Sequence, residues 1–281
     1  MNNLYFKKIE YAEHLWHKAN TKVAYLLSSS TNITIKNYLM NWFLNNYEVD
    51  FSDLEKKNIK DYKSFNDFFT RPLKKDARLI DSSKNAIVSS VDGTIGEYGN
   101  INAGTLVQAK NITYSLAALL GSKEQAARYN NGTFITTYLA PTDYHRIHMP
   151  FDGKLTGMTY IPGRLFSVNP KVINTTEAVF SRNERAISHF EGAYGNFSVV
   201  LVGAQLVSGL ETVWHGKIAR QNSIKTWDYA DIKLKKGEEL GRFNFGSTVI
   251  LCFDNNTNFN NNLKLAKNIK LGTNIASYTE E

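Results

Sequence analysis

The chain has 281 residues, of which 42% are hydrophobic and 21% are charged, a composition typical of a folded globular protein rather than of a disordered segment. Its single cysteine, Cys252, excludes an internal disulfide and fits a reducing compartment. The formal net charge of +7 suits an anionic partner, but basic residues occur only in short groups such as Lys74-Lys75, so we do not predict nucleic-acid binding.

The sequence predicts no membrane-spanning helix, because it has no run of about 18 consecutive apolar residues. Charged and polar residues also interrupt every short apolar run near the N-terminus, so we predict no signal peptide.

Residues 1–64 are predicted to be helical. Apolar residues recur at helical spacing over residues 35–47, and Asn32 or Thr34 could cap this helix. Residues 5–27 combine aromatic residues with lysines, a pattern found in helices that lie in a membrane interface and in helices that pack on their own protein core.

From residue 86 onward, short runs rich in β-branched and aromatic residues alternate with turn residues, which favours a mainly antiparallel β core. Pro72 ends any helix in the preceding segment. We predict an inserted helix over residues 115–129 and a loop over the Asn-rich residues 255–262. The expected fold class is α+β: N-terminal amphipathic helices, then a β-rich domain over residues 65–281 with one or two inserted helices.

One step near the C-terminus stands out. Gly246-Ser247-Thr248 lies within residues 243–253, an apolar stretch that predicts a single buried strand. Glycine weakens a strand and most often marks a bulge or bend there. It also leaves the Gly246 carbonyl open to close approach by the Ser247 hydroxyl, so the step is a candidate for self-cleavage.

Asp92, His148 and Ser247 are the residue types of a charge-relay triad. Serine supplies a hydroxyl, histidine accepts its proton, and aspartate orients the imidazole and stabilises its charged form. His145 and His148 would share a helical face, as zinc ligands can, but no third ligand lies at a suitable spacing and we predict no metal site.

The ordered set of motifs resembles the bacterial phosphatidylserine decarboxylase proenzymes, which depend on a pyruvoyl group (prokaryotic type I). The segments that carry the resemblance are Phe68-Phe69-Thr70-Arg71-Pro72-Leu73, Val91-Asp92-Gly93-Thr94-Ile95, Asp143-Tyr144-His145-Arg146-Ile147-His148-Met149-Pro150, Leu165-Phe166-Ser167-Val168-Asn169-Pro170, Asn183-Glu184-Arg185, Val202-Gly203-Ala204 and Gly246-Ser247-Thr248. The chain departs from the family at Phe245, where a leucine is common.

The resemblance implies a self-processing enzyme. Ser247 would attack the Gly246 carbonyl, with His148 as base and Asp92 orienting it. The resulting ester would break by β-elimination into a large chain, 1–246, and a small chain, 247–281, whose first residue becomes a pyruvoyl group. That group would form a Schiff base with phosphatidylserine and release CO2, giving phosphatidylethanolamine.

The resemblance also implies partners and a location. His145 is the expected substrate-contact residue, and Arg71 or Arg146 would either pair with an anionic part of the lipid or form structural salt bridges. The substrate is a lipid of an anionic membrane, so residues 1–64 are expected to associate with the cytoplasmic side of the cell membrane as a peripheral, monotopic region. A homodimer of cleaved protomers is implied as well.

Three other functions remain open at this stage. A serine hydrolase would use the same three residues, Asp92, His148 and Ser247, in every turnover and keep an intact chain. A pyruvoyl decarboxylase of a soluble amino acid would not bind membranes. In a non-enzymatic β-rich membrane adaptor, Ser247 would serve packing alone.

Overall fold

The computed structural model describes residues 23–110, 112–204, 209–244, 247–254 and 257–279. The mainly antiparallel α+β architecture predicted from the sequence is confirmed. Within these residues, three helices and a short 3-10 turn precede eighteen short strands in four sheets, and every pairing between these strands is antiparallel. No helix within the described ranges is long and apolar enough to cross a membrane.

The N-terminal region contains α1, described from residue 23 to residue 28, and α2, Ile33–Asn46. The Asn32 side chain caps α2 by accepting hydrogen bonds from the backbone N–H groups of Thr34 and Ile35, as predicted. Residues 47–64 were predicted to be helical, but they contain only a short 3-10 turn, Ile59–Asp61. The earlier predicted segment, residues 5–27, lies mostly outside the described residues.

The next helix, α3 (Phe65–Phe69), packs against α2 through an aromatic cluster. Met40 and Phe43 of α2 are buried against Phe65, Phe68 and Phe69 of α3. The N-terminal region is therefore joined to the start of the β region by a shared apolar core.

The main sheet of the β region has nine strands: β2 (Gly93–Asn100), β5 (Thr133–Leu139), β7 (Gly153–Ile161), β8 (Arg185–Gly192), β9 (Gly195–Gly203), β12 (Lys225–Asp228), β13 (Lys233–Leu234), β15 (Ser247–Phe253) and β17 (Asn268–Ile269). Their order in the sheet is β12-β7-β8-β9-β15-β5-β2-β17, with β13 also paired to β7.

A second sheet has four strands in the order β11-β10-β14-β6. They are β6 (Arg146–His148), β10 (Leu210–Thr212), β11 (Gly216–Ile218) and β14 (Glu239–Phe243). The two smaller sheets are formed by β1 (Ala86–Val88), β18 (Asn274–Tyr278) and β16 (Thr257–Phe259), and by β3 (Thr105–Ala109) and β4 (Ile112–Ser115).

Four short helices are inserted among the strands: α4 (Leu116–Leu120), α5 (Lys123–Ala127), α6 (Pro170–Ile173) and α7 (Val179–Arg182). The single helix predicted over residues 115–129 is thus two helices. Gly121 adopts a left-handed φ of 72° at the end of α4, and Ser122 caps α5, so the helical path breaks between them.

Two further predictions on the C-terminal part need correction. Residues 243–253 do not form one strand, because β14 ends at Phe243 in the four-stranded sheet and β15 begins at Ser247 in the nine-stranded sheet. The predicted loop over residues 255–262 contains strand β16, while residues 255 and 256 lie outside the described part.

Candidate active site

Ser247 lies at the start of the most buried strand of the main sheet. Every residue of β15 is buried: the strand pairs with β5 on one side and β9 on the other, and its alternate side chains pack into two apolar clusters on opposite faces of the sheet. Ser247 itself faces Leu139 and Gly203 in these pairings and has 0% exposure. Its Oγ has no hydrogen-bond partner among the described residues. A buried hydroxyl left unpaired is costly for stability, which makes it a candidate for a chemical role.

The chain reaches Ser247 by crossing from one sheet to another. Asn244, the last described residue before this crossing, is 3% exposed, and its backbone N–H and side-chain Nδ2 both donate to the Gly209 carbonyl, at 3.2 and 3.1 Å. Gly246, the expected residue on the other side of the cleaved bond, lies outside the described residues together with Phe245. The candidate bond therefore lies in a connection between sheets, anchored on both sides.

His145 is positioned at this crossing by the strands on either side. The chain leaves β5 after Leu139, turns through residues 140–143, and reaches His145, whose carbonyl accepts a 3.0 Å hydrogen bond from the Phe243 N–H. Leu139, the last residue of β5, pairs with Ser247, so the chain between Leu139 and His145 runs from a contact with Ser247 to a contact with Phe243. The structure thus brings His145 to the same end of the sheets as Ser247.

The His145 ring is held as a neutral base. Its Nδ1 lies 2.8 Å from the Asp143 carbonyl, and because a carbonyl only accepts, Nδ1 carries the proton and Nε2 has the free lone pair. Nε2 is buried with no partner among the described residues, and the ring packs 4.2 Å from the Phe69 ring. Burial, with a smaller contribution from the Arg71 charge, lowers the pKa of His145 to about 3 despite the opposing effect of the Asp143 hydrogen bond.

His148 is the last residue of strand β6, and His145 directly precedes that strand. The two histidines therefore do not share a helical face. Its Nδ1 donates to the Gly237 carbonyl at 2.8 Å, which leaves Nε2 to accept from the Tyr144 hydroxyl at 3.0 Å. Burial lowers the pKa of His148, while the Gly237 hydrogen bond and the charge of Glu239 act in the opposite direction.

Asp92 is buried and bound to cations rather than to a histidine. Arg78 donates to both of its carboxylate oxygens, the Leu271 N–H donates to Oδ1 at 2.8 Å, and Lys270 Nζ lies 3.4 Å from Oδ2. Burial raises the pKa of Asp92, but the Arg78 and Leu271 hydrogen bonds and the neighbouring positive charges outweigh it, so the net shift is downward. Asp92 is therefore held ionised.

The three triad candidates are not linked by direct hydrogen bonds within the described residues. Asp92 and Tyr144 instead line one polar cavity of about 70 Å³, which also borders Asp53, Asp143 and Arg78. The Asp92 charge still acts on His148, whose pKa it raises. The orienting contact that the sequence assigned to Asp92 is made here by the Gly237 carbonyl.

Arg71 and Arg146 both have structural partners. Arg71 donates to the carbonyls of Thr142 and Asp143 and so supports the turn that leads to His145. Arg146 pairs with Glu239 at 2.9 Å and donates to the Thr70 carbonyl. Arg146 thus makes a structural salt bridge, whereas the hydrogen bonds of Arg71 go to backbone carbonyls rather than to a carboxylate.

A family model described as phosphatidylserine decarboxylase matches residues 65–277. The chain belongs to the phosphatidylserine decarboxylase family. A phosphatidylserine decarboxylase proenzyme of Francisella philomiragia subsp. philomiragia is 44% identical over 246 residues, which cover 85% of this chain and 86% of the relative. A protein of the same description from Francisella tularensis subsp. novicida is 45% identical over 250 residues, covering 86% and 87%.

Membership of the phosphatidylserine decarboxylase family supports the main functional prediction and not the serine hydrolase, soluble-substrate or adaptor alternatives. The family match begins at Phe65, the first residue of α3, and so includes Phe69 and Arg71, which contact His145 and the turn before it.

Sequence reasoning missed several residues that support this site. Tyr144 donates to His148, and Arg78 donates to Asp92. Asn66 donates to Asn244, the last described residue before Ser247. Tyr144 lies inside a motif that drew attention only for its histidines. Arg78 and Asn66 lie close to the Phe68–Leu73 motif, and their partners are distant in the chain, so only the fold reveals their contacts.

Proposed function

We propose that this chain is a phosphatidylserine decarboxylase proenzyme, a carboxy-lyase that converts phosphatidylserine to phosphatidylethanolamine and CO2 with a pyruvoyl group made from its own Ser247. The observation that carries this proposal is the setting of Ser247, whose buried and unpaired hydroxyl lies at the start of β15, just after the chain leaves the four-stranded sheet for the nine-stranded one.

The maturation step is an internal chain cleavage. Ser247 Oγ passes its proton to a base and attacks the carbonyl carbon of Gly246. Collapse of the tetrahedral species breaks the peptide C–N bond as the base returns this proton to the Ser247 nitrogen, which leaves an ester and a free amine. Loss of the Ser247 α-proton then breaks the Cβ–Oγ bond, which releases Gly246 as a carboxylate. Hydrolysis of the dehydroalanine left at position 247 consumes one water and releases ammonia.

His148 and Asp92 are the proposed base and charge partner for this step. Nε2 of His148 is the unprotonated nitrogen, so it can accept a proton once the Ser247 hydroxyl replaces that of Tyr144. The Asp92 carboxylate raises the pKa of His148 through its charge and so stabilises the imidazolium that forms. His145 is a second candidate base, because its Nε2 is already free.

The residues around position 247 fit a pyruvoyl group. When present, that group supplies a carbonyl that accepts the substrate amine and the electron pair released with CO2. The unpaired Nε2 of His145 offers a buried acceptor to the substrate, and the Phe69 ring keeps this imidazole in place. Because burial keeps His145 neutral, its Nε2 can accept a hydrogen bond from the substrate amine.

The proposed products, chains 1–246 and 247–281, have reason to stay together. The small chain would contain β15 between β5 and β9, and β18 between β1 and β16. Cutting one connection leaves these backbone ladders and the buried face of β15 intact.

We further propose that residues 1–64 bind the cytoplasmic side of a membrane peripherally. Helices α1 and α2 expose several large apolar side chains, with Leu26 61%, Tyr38 71% and Trp42 49% exposed. Apolar residues of this size on exposed helices suit insertion at a lipid interface. A homodimer of cleaved protomers is also proposed, on the resemblance alone, and sedimentation equilibrium of the mature enzyme would test it.

Intact-mass measurement tests the central proposal. Active protein should contain two chains, and the small chain should be lighter than unmodified residues 247–281 by one ammonia, with a blocked N-terminus. Ser247→Ala should remain one chain and be inactive. Active protein consisting of a single full-length chain would exclude the pyruvoyl mechanism.

Vesicle sedimentation tests the membrane proposal. Removing residues 1–45 would also remove buried Phe43 from the aromatic cluster, so surface substitutions are the cleaner test. The variant Leu26→Ser/Tyr38→Ser/Trp42→Ser should remain in the supernatant with anionic vesicles. The control Leu79→Ser/Ile224→Ser/Leu265→Ser, which changes three exposed apolar residues outside these helices, should sediment. Equal sedimentation of both variants would contradict membrane binding through these helices.

A further inference from the structure

The side chain of Asn66 is anchored to the segment that enters the proposed cleavage bond. Its Nδ2 donates to Oδ1 of Asn244 at 2.9 Å, although the two residues are 178 positions apart. The Gly209 carbonyl sets the orientation of the Asn244 amide. Because a carbonyl can only accept, Nδ2 of Asn244 must point toward it. Oδ1 of Asn244 is then left for a donor, and Asn66 supplies it.

Helix α3 presents this asparagine and Phe69 on one face, since the two residues are three apart. Phe69 contacts the His145 ring, and Asn66 contacts Asn244. His145 and Phe243 are joined by a backbone hydrogen bond, so these two targets lie on neighbouring chain segments. One face of α3 therefore covers both the candidate substrate-contact histidine and the chain that leads into Ser247.

The contact is poorly explained by stability alone. Oδ1 of Asn66 is buried with no donor among the described residues. A buried carbonyl oxygen left unpaired costs at least as much stability as one amide hydrogen bond contributes. Asn66 thus contributes little net stability while fixing the position of Asn244.

We propose that Asn66 is a positioning residue for self-cleavage, which acts through Asn244 to hold the chain before the Gly246–Ser247 bond where the Ser247 hydroxyl can attack. The inference rests on the self-cleavage proposed above. Intramolecular attack needs near-contact alignment, and a displacement of about 1 Å can slow such a reaction about 100-fold. After cleavage Asn244 is no longer connected to residue 247, so the mature site depends less on Asn66.

The test follows the two-chain fraction over time in freshly synthesised full-length precursor. We expect Asn66→Ala to slow cleavage by about 10- to 100-fold, while decarboxylase activity per cleaved chain stays within about 2-fold of wild type and the melting temperature is nearly unchanged. Asn85→Ala is the matched control, because Asn85 Nδ2 also makes one side-chain hydrogen bond, to the Tyr278 carbonyl, away from this site. It should cleave at the wild-type rate.

A double-mutant cycle identifies the route of action. If Asn66 acts through Asn244, adding Asn66→Ala to Asn244→Ala should change the cleavage rate less than about 2-fold. An equal slowing in both backgrounds would overturn the proposal. So would wild-type cleavage of Asn66→Ala, or of Asn66→Asp, which keeps the side-chain volume and decides the matter if the alanine variant does not fold. A wild-type chain that never cleaves would instead overturn the proposed function.

Discussion

Asp92 and Arg78 form a bidentate ion pair on the wall of the polar cavity that Tyr144 also lines, with Arg78 Nε 2.9 Å from Oδ1 of Asp92. Arg78 also forms a salt bridge with Asp53, so it links the Asp92 carboxylate, which is proposed to act in self-cleavage, to the segment that follows α2. The carboxylate of Asp92 is almost fully buried, whereas that of Asp53 is 43% exposed.

Arg78→Met should lower the free energy of unfolding by about 3 kcal/mol, because loss of one partner leaves the other charge buried and poorly compensated. Urea unfolding in a Ser247→Ala background, which keeps a single chain, would measure this. Asp53→Asn should cost less than about 1 kcal/mol, since that pair is solvated. Adding Asp92→Asn to Arg78→Met should recover part of the loss, and equal losses for Arg78→Met and Asp53→Asn would contradict this interpretation.

Tyr144→Phe should shift the acid limb of the cleavage pH profile upward. The Tyr144 hydroxyl donates to Nε2 of His148, a bond that only the neutral imidazole can accept, so its loss raises the pKa of His148. A neutral hydrogen bond contributes about 0.5–1.5 kcal/mol, which corresponds to a shift of about 0.4–1 pH unit. Tyr98→Phe, which removes a hydroxyl bound to the Leu263 carbonyl, is the control and should leave the profile in place.

The site combines features that the sequence could predict with contacts that it could not. The continuous apolar run after Ser247 predicts a buried strand because the strand is covered on both faces, and β15 confirms this. The same run did not reveal that Phe243 belongs to another sheet, since apolar residues suit a core strand in either one. That difference moves the proposed cleavage site from the interior of one strand to the connection between two sheets.

The hydrogen-bond partners of the polar site residues could not be predicted from local sequence patterns either. His148 is oriented by the backbone carbonyl of Gly237, and a carbonyl is present at every residue, so no motif marks this one. Asn66 and Asn244 meet only because α3 folds back over the end of β14. Residue types therefore indicated the chemistry, while the partners that orient those residues depended on tertiary structure.

His145→Ala and His148→Ala should separate the two stages of the reaction. If His145 serves the substrate, His145→Ala should still yield two chains but decarboxylate at least about 100-fold more slowly per cleaved chain, as loss of an acid–base group does. His148→Ala should remain a single chain. His215→Ala is the control, since His215 Nδ1 bonds the Tyr229 hydroxyl rather than this site. An uncut His145→Ala chain would instead place His145 in the self-cleavage step.

Buried His189 should make the fold sensitive to mild acid. Its Nε2 is unpaired among the described residues, and burial, together with the Arg128 charge, lowers its pKa from 6.5 to about 4. As the pH falls below 6.5 the unfolded chain takes up a proton that folded His189 does not, so stability decreases down to about pH 4 and no further on its account. In the uncut Ser247→Ala chain, His189→Gln should reduce the slope of unfolding free energy against pH by about 1 kcal/mol per pH unit near pH 5. Urea unfolding at several pH values would measure it, and parallel curves for the two chains would show that His189 is not responsible.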